Sequence, residues 1–172
     1  MTDSATAVEP RGAAKKEAFH EAAEANVMPF KFEVPNVEIA PGKKIHVKLA
    51  GTDNCRASVQ VLRNGGDNNL HYHPNMDLIY MVLKGKVRFY GPGDKILGDF
   101  SPEEGLLLPE NSRYWFKSLG EEEAWLLQIA GYPKGAKASK RIPCEPAKGE
   151  YGGVWVGLSE EEHKVRAANN KF

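Results

Sequence analysis

Two histidines one residue apart, His71 and His73, carry the clearest chemical signal in this chain. They follow a Gly65-Gly66 turn and precede the apolar run Leu78-Ile79-Tyr80-Met81-Val82-Leu83. On an extended strand, residues two apart point to the same side, so both imidazoles can aim into one cavity. Neutral imidazole is the commonest protein ligand for divalent metals, which makes the pair a candidate metal site. Two ligands seldom hold an ion alone. The bland alternative is a pair of packed, hydrogen-bonded polar side chains inside a narrow barrel.

Other side chains share that region. Tyr80 lies two positions after Leu78 and is expected on the same inward face, as a proton donor or as cavity lining. Gln60 and Gln128 interrupt apolar strands, Val59-Gln60-Val61 and Leu127-Gln128-Ile129, and face either a pocket or solvent. His20, His46 and His163 have no partner at ligand spacing and are expected at the surface. Asp77 should face away from the histidine side by strand alternation, as should Arg113 relative to Tyr114. No Gly-x-Ser-x-Gly elbow, phosphate-cradling glycine loop or Cys-x-x-Cys competes with the histidine pair.

The elements that must position these residues are short strands. From Phe30 to about residue 133 the sequence breaks into β-type runs at 44–50, 56–63, 69–73, 77–83, 86–90, 95–100, 104–108, 113–118 and 124–131. Turn residues such as Gly91-Pro92-Gly93-Asp94 and Pro102-Glu103-Glu104-Gly105 separate them. Many short strands at this spacing predict an all-β antiparallel sandwich or barrel. Residues 1–29 read as a helical arm, with helix over Ala13 to Ala25 and a narrow apolar stripe of Phe19, Ala22, Ala23 and Val27. Residues 134–172 read as an extension with an aromatic stretch, Tyr151 to Trp155, and a short helix from Ser159 to Ala168. Ser159 with Glu162 makes a capping box at its start.

Composition removes whole classes of function. The 172 residues carry 23 Lys and Arg against 23 Asp and Glu, so no net field attracts nucleic acid or an anionic membrane. No basic stripe carries interleaved aromatics, and nucleic-acid binding is not expected. Apolar runs fall well short of the roughly 18 residues of a membrane span, and no secretory signal opens the chain. Cys55 and Cys144 have no ligand-like neighbours and read as free thiols in a reducing cytoplasm.

The central zone, about residues 45 to 131, resembles the cupin superfamily of double-sheet jelly rolls. Gly66, His71-Tyr72-His73-Pro74-Asn75 and Met81-Val82-Leu83-Lys84-Gly85 match the first cupin motif. Gly98-Asp99, Gly105-Leu106-Leu107-Leu108-Pro109 and Tyr114-Trp115-Phe116 match the second. The resemblance implies a cupin barrel with a metal held by two His and a Glu from the first motif and a His from the second. In this register His71 and His73 are present, Leu78 stands where the Glu belongs, and Tyr114 where the last His belongs. Tyr114 could ligate as a phenolate or be a core aromatic. With Tyr80 and Tyr114 as reactive groups, and Gln60, Leu78, Phe116 and Gln128 lining the pocket, two expectations follow. One is a metal-dependent enzyme on a small organic molecule, with Fe, Mn, Ni or Zn at His71 and His73, of dioxygenase, isomerase, decarboxylase or lyase type. The other is a non-catalytic small-molecule-binding or sensing cupin that has lost its metal. The resemblance also implies a homodimer.

Overall fold

The computed structural model describes residues 12–40, 42–63, 65–136, 140–146 and 153–159. The chain divides into two compact units, residues 1–30 and residues 31–172. The first contains one helix, α1 (Ala13–Glu24). Its alanines and long unbranched side chains have the highest helix propensities, so among the described residues the α-helix falls on this segment. Beyond Ser159 itself, the predicted helix to Ala168, and His163 with it, lie outside the described residues. Among the described residues, no helix is long and apolar enough to cross a membrane.

The second unit is built of strands. In chain order they are β1 (Lys44–Gly51), β2 (Cys55–Leu62), β3 (His71–Tyr72), β4 (Asp77–Lys84), β5 (Val87–Tyr90), β6 (Ile96–Phe100), β7 (Gly105–Leu108), β8 (Trp115–Ser118), β9 (Ala124–Gly131), β10 (Ile142–Pro143) and β11 (Gly153–Val156). One sheet runs β11-β1-β2-β9-β4-β7, a second runs β6-β5-β8, and β10 pairs with β3. All pairings are antiparallel except β1 with β11, which is parallel. The all-β architecture expected from the turn spacing, and the two-sheet arrangement that the resemblance implies, are what the second unit adopts.

Strand alternation decides which side chains fill the interior. On β4, Leu78, Tyr80 and Val82 are buried while Asp77, Ile79 and Leu83 are exposed. These inward residues pack with Ala124, Leu126 and Ala130 of β9, with Leu62 and Leu108, and with Val87, Phe89 and Phe116 of the facing sheet. A second apolar layer covers the opposite face of β1 and β2, where Ile45, Val47, Val59 and Val61 are buried beneath Phe32, Val34, Val37 and Ile39. The apolar stretch just after residue 30 is thus a cover for the large sheet.

Glycine is required at two turns of this frame. Gly85 ends β4 at φ 71°, and a Cβ there would sit 2.9 Å from the Ala124 Cα. Gly105 lies opposite Met81, where a Cβ would come within 1.9 Å of the Tyr80 carbonyl oxygen. Only a residue without a side chain lets β7 approach β4 so closely.

Candidate functional site

Strand β3 is only two residues long, so His73 lies just beyond it, yet the two imidazoles meet. Their ring centroids are 5.0 Å apart in an edge-on arrangement. Tyr114 joins them through the backbone: His71 N–H donates to the Tyr114 carbonyl at 3.1 Å and Tyr114 N–H donates back at 2.9 Å. The Tyr114 ring lies 4.4 Å from the His71 ring, centroid to centroid. The two motifs, which the sequence only set in order along the chain, thus meet as a direct cross-strand pair.

Each polar atom in this cluster has a definable state. The His71 Nδ1 lies 2.6 Å from the Asn69 carbonyl oxygen. A carbonyl only accepts, so Nδ1 carries the proton and Nε2 keeps its lone pair. Burial first, then the Arg141 guanidinium, holds His71 well below its ordinary pKa. The same two causes, in the same order, lower His73 to about 4, with the Lys140 backbone acting the other way. Both rings are therefore neutral near pH 7. The His73 Nδ1 is buried and has no hydrogen-bond partner.

The phenols and amides form a second polar layer. Tyr80 and Tyr114, 2% and 1% exposed, share a hydrogen bond of 2.9 Å between their hydroxyls. Burial pushes both above the ordinary tyrosine value, so both remain protonated. Gln60 donates through Nε2 to Gln128 Oε1 at 2.6 Å, while its own Oε1 is buried without a partner. The register places Gln128 opposite Tyr80 and Gln60 opposite His46, so both amides face inward. Leu78 is 1% exposed and belongs to the core beside Tyr114 and Phe116. Asp77 is exposed and accepts from the Glu110 N–H at 2.8 Å, outside the cluster as alternation predicted.

His46 corrects the sequence reading. It is not a surface residue: its ring stacks on Trp155 of β11 at 4.2 Å, and its Nδ1 is buried. The signal was lost because its partner belongs to a strand far along the chain, which the local pattern does not connect to β1. His20 is exposed, as expected, and so is Arg113.

Two cations missing from the sequence reading act on this cluster. Arg141, immediately before β10, donates from Nη2 to the same Asn69 carbonyl that binds His71, at 3.3 Å. Its charge acts on His71, His73, Tyr80 and Tyr114. Lys44, at the start of β1, is 8% exposed, with Nζ 4.7 Å from the Phe116 ring centroid. Burial, and then Arg141, lowers Lys44 to about 7, with Asp67 acting in the opposite sense. Every full charge that perturbs the two imidazoles is positive.

This donor set does not fit a divalent metal. The two lone-pair nitrogens suit one, but the carboxylate position is Leu78, the Tyr114 hydroxyl is engaged by that of Tyr80, and Arg141 and Lys44 act on both imidazoles. Among the described residues, no group of three or more His, Cys, Asp or Glu side chains could hold an ion. Two surface clefts lie elsewhere, one along Leu83–Lys86 and Leu119–Glu122, the other by Asp53, Arg56 and Tyr132.

Solved structures place the architecture among known proteins. A double-stranded β-helix protein of Klebsiella pneumoniae is similar over 62% of this chain and 90% of its own, at 12% identity and a TM-score of 0.52. A cupin superfamily protein of Desulfitobacterium hafniense is 19% identical over 61% of this chain and 94% of its own, with a TM-score of 0.48. An RmlC-like cupin protein of Desulfovibrio desulfuricans is 16% identical over 59% and 97%, with a TM-score of 0.47. No family model and no curated protein matches the sequence.

Proposed function

Since this chain has the cupin superfamily fold, we propose that its barrel binds a small organic molecule directly, as a binding or sensing protein, without a metal between protein and ligand. The observation that carries this reading is the convergence of neutral donors with Arg141 and Lys44 around His71, His73, Tyr80 and Tyr114, where among the described residues no carboxylate acts on the imidazoles or the phenols. Such a set suits recognition of oxygen atoms on a ligand. Enclosed sites of this type combine apolar lining with a few placed polar groups. Leu78, Phe116 and the tyrosine rings supply the lining, and Gln60 Oε1 and His73 Nδ1 are buried polar atoms left for a ligand to satisfy.

The metal-dependent reading draws support from one observation, the two adjacent neutral imidazoles. Elemental analysis of the purified full chain separates the readings. The binding reading expects no stoichiometric first-row metal, and no change in metal content in His71→Ala. One metal per chain, lost in His71→Ala, would overturn it and restore a metal centre.

A further inference from the structure

We infer that Arg141 and Lys44 form the seat of a carboxylate group, so that the ligand of the barrel is a small organic acid. This rests on the proposed small-molecule reading and names the chemical class of the ligand.

The first argument is charge balance. Arg141 lies before β10, which pairs with β3, and its guanidinium reaches the Asn69 carbonyl beside His71. Lys44 stands at the inner start of β1, opposite Leu62, with its Nζ over Phe116. Each cation acts on both imidazoles, and Arg141 acts on Lys44 as well. Among the described residues, neither forms an ion pair with a carboxylate; Asp67 acts on Lys44 only from beyond ion-pair distance. Lys44 is buried and Arg141 half-buried, and uncompensated charges so placed are costly unless a counter-charge arrives from outside.

The second argument is donor geometry. The guanidinium spends one N–H on Asn69 at 3.3 Å, long for a charge-assisted bond, and makes no other hydrogen bond within the described residues. The remaining N–H groups form a planar fork that matches the two oxygens of a carboxylate. Lys44 adds a single point charge. The fork meets the two oxygens of a carboxylate, and Lys44, lowered to about 7, is partly neutral at pH 7, so the pair carries less than the two full charges that a dianionic phosphate would need. The neighbouring phenols and aromatic rings then face the organic part of the acid.

Acetate, which carries almost no tail and so presumes no ligand shape, is the probe. The full chain is titrated with acetate, acetamide and inorganic phosphate at constant ionic strength. The imidazole nitrogen resonances of His71 and His73 and the melting temperature are followed. The expected result is saturable movement of both imidazoles and a rise in melting temperature with acetate alone. Arg141→Gln should weaken acetate binding at least tenfold, and Arg141→Lys, which keeps the charge but loses the fork, by less. Acetamide binding as well as acetate would overturn the carboxylate seat while leaving the pocket reading intact. Preference for phosphate, or unchanged acetate affinity in a folded Arg141→Gln, would overturn it too. No response to any of the three would overturn both this inference and the pocket reading.

Discussion

A lysine at the head of a β-strand ordinarily lays its stem on the surface and its charge in water. Lys44 instead stays inside, over the Phe116 ring, and burial holds it near pKa 7 rather than 10.5. Its folded value lies below its unfolded one, so between about pH 7 and 10.5 the unfolded chain binds the extra proton. Stability therefore rises with pH across that window, by up to about 1.4 kcal/mol per pH unit for one such group. Below pH 7 the full penalty is present. Lys44→Met is expected to stabilise the ligand-free protein by about 1–3 kcal/mol at pH 6–7. The gain should shrink toward pH 10. Urea unfolding of both proteins across this range checks the prediction, and a pH-independent difference would contradict it. The same substitution should weaken acetate binding. A residue that lowers stability and raises affinity is what a dedicated ligand group looks like.

How much of the site could be read from sequence follows the range of the signal. His71, His73, Leu78 and Tyr80 sit on or beside strands whose two-residue period fixes their face, and the period assigned them inward; for Gln60 and Gln128 the sequence left pocket and solvent open, and the register of β2, β9 and β4 turns them inward. Tyr114 came from motif spacing and does pair with His71. Arg141 was not legible: it precedes a two-residue strand in a Lys-, Gly- and Pro-rich stretch, and only pairing with distant β3 brings it inside. Lys44 was missed because composition says lysine faces water.

At the scale of elements, the β4–β7 pairing controls the site from behind. Tyr80 projects from β4 into the cluster while its carbonyl faces Gly105 of β7. Gly105→Ala would drive a methyl into that carbonyl, so the two strands must separate. A loss of at least about 2 kcal/mol is expected, together with weaker ligand binding as Tyr80 shifts. Gly131→Ala, at the end of β9 where a Cβ meets nothing within 4 Å, should be nearly neutral. Equal melting temperatures for the two variants would show that β7 can move aside without consequence. The strand boundaries here were legible because Pro102–Gly105 and Gly85 punctuate the sequence. The closeness of β7 to β4 was not, since a lone glycine in a strand does not say what it approaches.

The whole molecule presents an apolar row on its outer face. Ile79 and Leu107 are cross-strand partners, 46% and 60% exposed, next to the free side of β7. A homodimer, expected from the resemblance, would cover such a row. Light scattering should then give twice the chain mass, and Leu107→Lys should shift it to the single-chain mass with the barrel still folded. Deletion of residues 1–26 should leave the β-type circular dichroism spectrum in place, because that arm belongs to a separate compact unit. A single-chain mass for the parent protein would dispose of the dimer.

The parallel pairing of β11 with β1 also has a consequence in time. It sets Lys44 beside Gly153 and His46 beside Trp155, residues from opposite ends of the described barrel. Closing so long a loop is entropically costly, and the contact cannot form until the intervening strands have been made. While the chain is being synthesised, the β1 edge that begins at Lys44 waits bare, open to pairing with another nascent chain. Among the described strands, the last to arrive is the one that seals the first, and with it the wall on which Lys44 stands.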